Sequence, residues 1–96
     1  MRRRYLVTYD IADDKRLKKV FKAMKDYGDH LQFSVFLCDL NDVERIRMES
    51  SVKSIMNEKD DQVLIVDLGQ ATQQVDEDAF YAIGRPLVFQ PRAKIA

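Results

Sequence analysis

Ninety-six residues make one domain with a modest core, and pairing with a second chain is a direct way for so small a protein to bury more surface. Hydrophobic residues at 46% and charged residues at 33% argue against disorder. Sixteen Lys and Arg balance sixteen Asp and Glu, so attraction to a polyanion must come from uneven placement of charge.

The placement is uneven. Basic residues crowd Arg2, Arg3 and Arg4, then Lys15 to Lys25, then Arg85, Arg92 and Lys94, while 57–61 and 76–78 are acidic. The one cysteine, Cys38, excludes an intrachain disulfide and fits a reducing cytoplasm, and a single His excludes a Cys/His zinc set. The apolar run after the N-terminal arginines breaks at Asp10 and no stretch approaches membrane-spanning length, so the expectation is a soluble cytoplasmic protein with no membrane partner.

Residues 5–11, Tyr-Leu-Val-Thr-Tyr-Asp-Ile, read as a strand closed by an Asp-rich turn. Asp13 or Asp14 then caps a helix whose apolar residues Leu17, Val20, Phe21, Met24 and Tyr27 recur at three- and four-residue steps, with Gly28 as its end. Its other face carries Lys15, Arg16, Lys18, Lys19, Lys22 and Lys25. Residues 31–40 are a second extended run, either one bent strand or a tight pair. Asn41 or Asp42 caps a second helix to about Met56, with a looser stripe through Ile46, Met48, Val52 and Ile55. Gln62 to Leu68 is a third strand ended by Gly69, and 80–83 and 87–89 are short strand candidates around Gly84 and Pro86.

This order predicts an α+β chain, a ferredoxin-like βαββαβ sandwich with both helices on one face of the sheet. Alternation assigns Tyr5, Val7, Tyr9, Leu31, Phe33, Val35, Leu37, Leu64, Val66 and Leu68 to the helix side. It assigns Leu6, Thr8, Asp10, Gln32, Ser34, Phe36, Cys38, Val63, Ile65 and Asp67 to the open side. The open set is too apolar to stay wet, which predicts a homodimer packed through sheet faces with Asp10 near its own symmetry copy.

Asp10 has two readings, a carboxylate that simply ends a strand and one that holds a divalent ion beside a phosphate. Two such carboxylates across an axis repel, and a cation between them relieves the repulsion. Tyr9 reads more simply as a packed aromatic than as a catalytic one. Asp13 and Asp14 are helix-start residues first, His30 is a loop histidine with many ordinary uses, and Ser34 lacks a His or Asp at nucleophile spacing. The lysine-rich helix face is either a solvated surface or a phosphate-contacting patch, and its near-lack of acidic residues favours the second.

Four linked motifs carry a resemblance: Tyr-Leu-Val-Thr-Tyr-Asp-Ile at 5–11, Asp-Asp-Lys-Arg-Leu-Lys-Lys-Val at 13–20, Gln32-Phe33-Ser34-Val35-Phe36, and Asp39-Leu40. In order and spacing over about residues 5–68 the chain resembles CRISPR-associated protein 2, the small partner in spacer acquisition. The resemblance implies a ferredoxin-like homodimer in which the segment after the third main strand, here 78–96, crosses to the partner protomer. It implies Asp10 as the Mg²⁺ and phosphodiester-hydrolysis residue, with Tyr9 beside it. It implies functional cations at the helix start, where this chain has Arg16, Lys18 and Lys19, and Leu17 interrupts the run; Lys22 and Lys25 extend the same face. Ser34 and Phe36 match the family's Ser-Val-Phe motif and are expected at the dimer face.

The functional expectation is a homodimer that binds double-stranded DNA and scaffolds the integrase, CRISPR-associated protein 1. The family is also described as a Mg²⁺-dependent endonuclease on single-stranded RNA or on DNA. The alternatives are a toxin-type endoribonuclease of related fold, a non-catalytic DNA-binding adaptor, and a small regulatory domain that binds no nucleic acid, against which the basic helix argues.

Overall fold

The computed structural model describes residues 1–88. Four strands form one antiparallel sheet in the order β2-β3-β1-β4, with two helices between them in sequence. The strands are β1 (Arg3–Asp10), β2 (Gly28–Gln32), β3 (Val35–Leu40) and β4 (Gln62–Gln70), and the helices are α1 (Asp14–Met24) and α2 (Asp42–Ile55). The chain runs β1-α1-β2-β3-α2-β4, the predicted ferredoxin-like arrangement, and the 31–40 run resolves into a hairpin turning at Phe33-Ser34.

Local chemistry sets the ends of the helices. The Asp13 carboxylate accepts the Arg16 amide at 3.0 Å, and Asn41 and Glu44 exchange side-chain and backbone bonds in a capping box. Eleven residues are too few for α1 to persist alone, so its stability comes from packing. Burial of Val20 and Met24, each fully enclosed, contributes about 1.5–3 kcal/mol per side chain. Leu17 and Phe21 lie against the same core.

Gly28 does not end α1. The helix stops at Met24 with Lys25 as its cap, and Gly28 opens β2. The glycine is required there by close approach. A Cβ at Gly28 would stand 2.4 Å from Cys38 Sγ and 2.7 Å from the Leu37 carbonyl oxygen, and neither a buried sulfur nor a strand carbonyl can yield cheaply. Gly28→Ala is expected to cost about 1–3 kcal/mol and so lower Tm by roughly 5–20 °C in a thermal melt. A variant melting with the wild type would show that β2 and β3 can separate at no cost. Gly69, by contrast, sits at φ 99° where β4 slips by one residue against Arg3–Tyr5, a bulge that suits glycine.

The side-chain facing in β3 and β4 is the reverse of the sequence expectation. Register pairs Tyr5 with Cys38, Val7 with Phe36 and Ile65, and Tyr9 with Val63, and these residues face the helices. Phe36 and Cys38 are fully buried in the core cluster, and Val63 and Ile65 pack against it. Leu6, Val35, Leu37, Leu64 and Val66 form the open face, where Leu64 remains 53% exposed. Phe36 therefore belongs to the core and not to the open face expected of it. Apolar side chains on both sides of β4 leave no alternation from which its facing could be read.

The segment after β4 returns across the open face. Phe80, Tyr81, Ile83 and Leu87 line one groove with Leu6, Leu31 and Val35. Residues 80–83 form no strand; they follow a single 3₁₀ turn, Glu77–Ala79, capped by Asp76. The other strand candidate, 87–89, is irregular through Val88, and Phe89, Arg92 and Lys94 lie outside the described residues. No helix among the described residues is long and apolar enough to cross a membrane.

Candidate functional site

Asp10 ends β1 opposite Gln62, with its carboxylate exposed. No described residue bonds to that carboxylate. Beside it lies the β2–β3 turn, because the Tyr9 amide donates to the Ser34 carbonyl at 3.2 Å and the Tyr9 hydroxyl donates to the Phe33 carbonyl at 3.3 Å. Tyr9 itself is buried, stacked 6.3 Å from the Phe36 ring, and burial pushes its phenol up to about 12. A neutral, enclosed phenol is placed to hold the turn next to Asp10 and not to meet a phosphate in solvent. Ser34 contributes its backbone carbonyl to that contact.

The loop after Asp10 is clamped from the opposite direction by Asp61. Its carboxylate, fully buried, accepts the Ala12 amide at 2.9 Å, the Asn57 amide at 2.9 Å, and the Arg16 guanidinium at 2.8 and 3.1 Å. The paired Arg16 and the two amides hold this carboxyl well below the usual carboxylate range. The sequence reading placed Asp61 only in an acidic stretch, 57–61, and gave it no role.

That clamp also sorts the basic residues. Arg16, expected to contact nucleic acid, is committed to Asp61. Arg2 pairs with Asp39 and Glu44, and Arg3 with Asp67, so two of the N-terminal arginines are likewise engaged within the chain. Lys15, Lys18, Lys19 and Lys22 are exposed and form no ion pair among the described residues, and Lys25 lies 5.0 Å over the Phe21 ring. A run of unpaired lysines therefore lies on one face of α1, the helix that starts four residues after Asp10.

Other residues are accounted for by packing. His30 lies in β2 between the Phe21 and Phe36 rings, at 4.9 and 5.0 Å. Asp13 is spent on the α1 cap. Among the described residues no three His, Cys, Asp or Glu side chains converge on a point. One chain thus offers an exposed Asp10 carboxylate and no all-protein cage. A lone carboxylate is compatible with Mg²⁺, which keeps several waters and binds through one or two carboxylates plus substrate phosphate.

This geometry agrees with relationships visible across the chain. Residues 1–75 match the family described as CRISPR associated protein Cas2. A "CRISPR-associated endoribonuclease Cas2 1" of Rhodospirillum rubrum is 51% identical over 67 residues, covering 70% of this chain and 66% of that protein. The corresponding Geobacter sulfurreducens protein, "CRISPR-associated endoribonuclease Cas2", is 45% identical over 67 residues, 70% of each chain. The crystal structure of Streptococcus pyogenes Cas2 superposes with a TM-score of 0.70 at 30% identity, over 84% of this chain and 99% of that one. A Thermus thermophilus hypothetical protein, TT1823, gives 0.71 at 27% identity over 94% and 100%. With Asp10, the Ser34-Val35-Phe36 motif and the lysine face all inside the matched stretch, the chain belongs to the CRISPR-associated Cas2 family.

Proposed function

We propose that this chain works in CRISPR spacer acquisition as a homodimeric nucleic-acid-binding scaffold for the integrase CRISPR-associated protein 1, and that Asp10 supports Mg²⁺-dependent phosphodiester cleavage. The observation that carries the reading is an exposed, unbonded carboxylate at a strand end with a face of unpaired lysines on the next helix. The relatives' names speak of endoribonucleases, which favours RNA as the cleaved strand and leaves duplex DNA as the scaffolded one.

Each residue has a part in this mechanism. The α1 lysines neutralise backbone phosphates and displace their counterions. Asp10 supplies negative oxygen donors where a metal and a phosphate meet, and a second copy of the chain doubles them. Mg²⁺ bound there would supply a water of lowered pKa and charge neutralisation at the phosphoryl group. Tyr9 fixes the turn on one side of Asp10, and Asp61 with Arg16 fixes the loop on the other.

A second reading, scaffold without cleavage, is favoured by the single carboxylate per chain. The two separate on a nuclease assay of wild type and Asp10→Asn with and without chelator, run beside a pull-down with the integrase. Loss of cleavage with retained capture supports both roles. Capture by a wild type that never cuts leaves the scaffold alone, and failure of both removes the proposal.

Binding should be electrostatic in a specific way. Log affinity for duplex DNA is expected to fall with log salt at a slope of about −0.9 per phosphate neutralised. Replacing Lys18, Lys22 and Lys25 together by Gln should reduce that slope by roughly 2–3 units, whereas Arg2→Gln should barely move it because Arg2 is already paired. An unchanged slope in the triple variant would make the α1 face an ordinary solvated surface.

A further inference from the structure

Phe33 sits at the turn between β2 and β3, a position where chains usually carry Gly, Asn or Asp, and its side chain is 71% exposed. A lone exposed aromatic is common on protein surfaces. This one is distinguished by its anchorage. The Phe33 carbonyl takes the Tyr9 hydroxyl and the next carbonyl takes the Tyr9 amide, so the backbone beneath the ring is tied to the residue before Asp10. The backbone that carries the ring is held at one place relative to the candidate site, and the ring is left bare.

It also faces a groove. Leu31, Gln32 and Phe33 on one side and Arg85, Pro86 and Leu87 on the other enclose an open cleft of about 650 Å³. Arg85 is exposed and forms no ion pair among the described residues. A bare ring and an unpaired guanidinium across a cleft are the pair of groups that single-stranded nucleic acid uses, one for a base face and one for a phosphate. A base within a duplex is stacked on both sides and offers no face to such a ring.

We propose that Phe33 is a stacking platform for an unpaired nucleobase, with Arg85 across the cleft meeting an adjoining phosphate, so that a single strand or a frayed duplex end is led past Asp10. The inference rests on the nucleic-acid-binding part of the function proposed above and assigns the contact with an unpaired base to Phe33 and Arg85.

The test compares three probes in chelator, so that cleavage plays no part: a single-stranded oligonucleotide carrying 2-aminopurine, the same sequence as a blunt duplex, and the duplex with a short 3′ overhang. Phe33→Ala should weaken binding of the single strand and the overhang by about tenfold and restore 2-aminopurine fluorescence, with the blunt duplex unchanged. Phe33→Trp should bind as well as wild type. Arg85→Gln should weaken the same two probes less, with a smaller salt slope.

Equal affinity of Phe33→Ala and wild type for the single strand overturns the platform while leaving the α1 surface as the binding site. An equal loss on all three probes, or a change in sedimentation, assigns Phe33 to packing between copies and also overturns it. A wild type that binds none of the probes removes the inference together with the reading beneath it.

Discussion

Asp61→Ala should lower Tm by about 10 °C or more and loosen the loop that follows Asp10, because a buried charge pair broken on one side leaves the other charge without its partner. Four bonds end at this carboxylate, from Ala12, Asn57 and twice from Arg16, and they tie together the β1–α1 loop, the start of α1 and the α2–β4 turn. Among the described residues no other carboxylate bonds the Arg16 guanidinium, and alanine offers no acceptor. The dependence on pH follows from the direction of the shift. Asp61 is held below its ordinary carboxylate value in the folded chain, so its contribution is fully present above the unfolded pKa of about 4 and fades as pH falls through the folded value. The Tm gap between wild type and Asp61→Asn should be constant from roughly pH 5 to 8 and narrow towards pH 3. A gap that instead widens in acid would mean the carboxyl is protonated in the fold and the Arg16 pair is not what holds it.

The ease with which such features could be read from the sequence followed their range. α1 was legible because its signals are local: Asp13 at the cap, apolar residues at helical spacing and lysines opposite. The order of strands and helices then led to the correct sheet. What local signals could not provide was facing in the later strands. Val63, Leu64, Ile65 and Val66 are apolar on both sides, so only their register against β1 shows that Val63 and Ile65 meet the helices. Gly28 looked like a helix stop, and its true reason is Cys38, ten residues away in sequence and under 3 Å from its missing Cβ.

The site divides in the same manner. Asp10 was recognisable from its strand end and its neighbours, and the structure places it where expected, at an exposed terminus of β1. Tyr9 was rightly suspected of being packed. The partner of Arg16 was invisible, since Asp61 lies 45 residues on and within a run that reads as a solvated acidic surface. Counting basic residues therefore overstated the charge available to a polyanion. Arg2, Arg3 and Arg16 are consumed by carboxylates, and the lysines of α1 are the largest group of unpaired cations among the described residues.

Asp10→Asn should abolish divalent-dependent cleavage, a loss of at least about a hundredfold, while melting within roughly 2 °C of wild type. The side chain is exposed and bonded to no described residue, so the amide costs the fold nothing that the carboxylate supplied. What it removes is charge. Each chain then presents no anionic oxygen at the end of β1, and a pair of chains has lost both, so the attraction for Mg²⁺ falls with no other cluster among the described residues to take its place. Binding of duplex DNA should survive, or strengthen slightly at low salt, because a negative group near the phosphates has gone while the α1 lysines are untouched. The measurement is metal-dependent cleavage of single-stranded RNA alongside duplex affinity on the same preparation, with chelator as the blank. Loss of cleavage together with loss of binding would point to misfolding or to a direct contact by Asp10, and not to a metal ligand. Cleavage at the wild-type rate would place the chemistry elsewhere and leave this end of β1 as a strand terminus only.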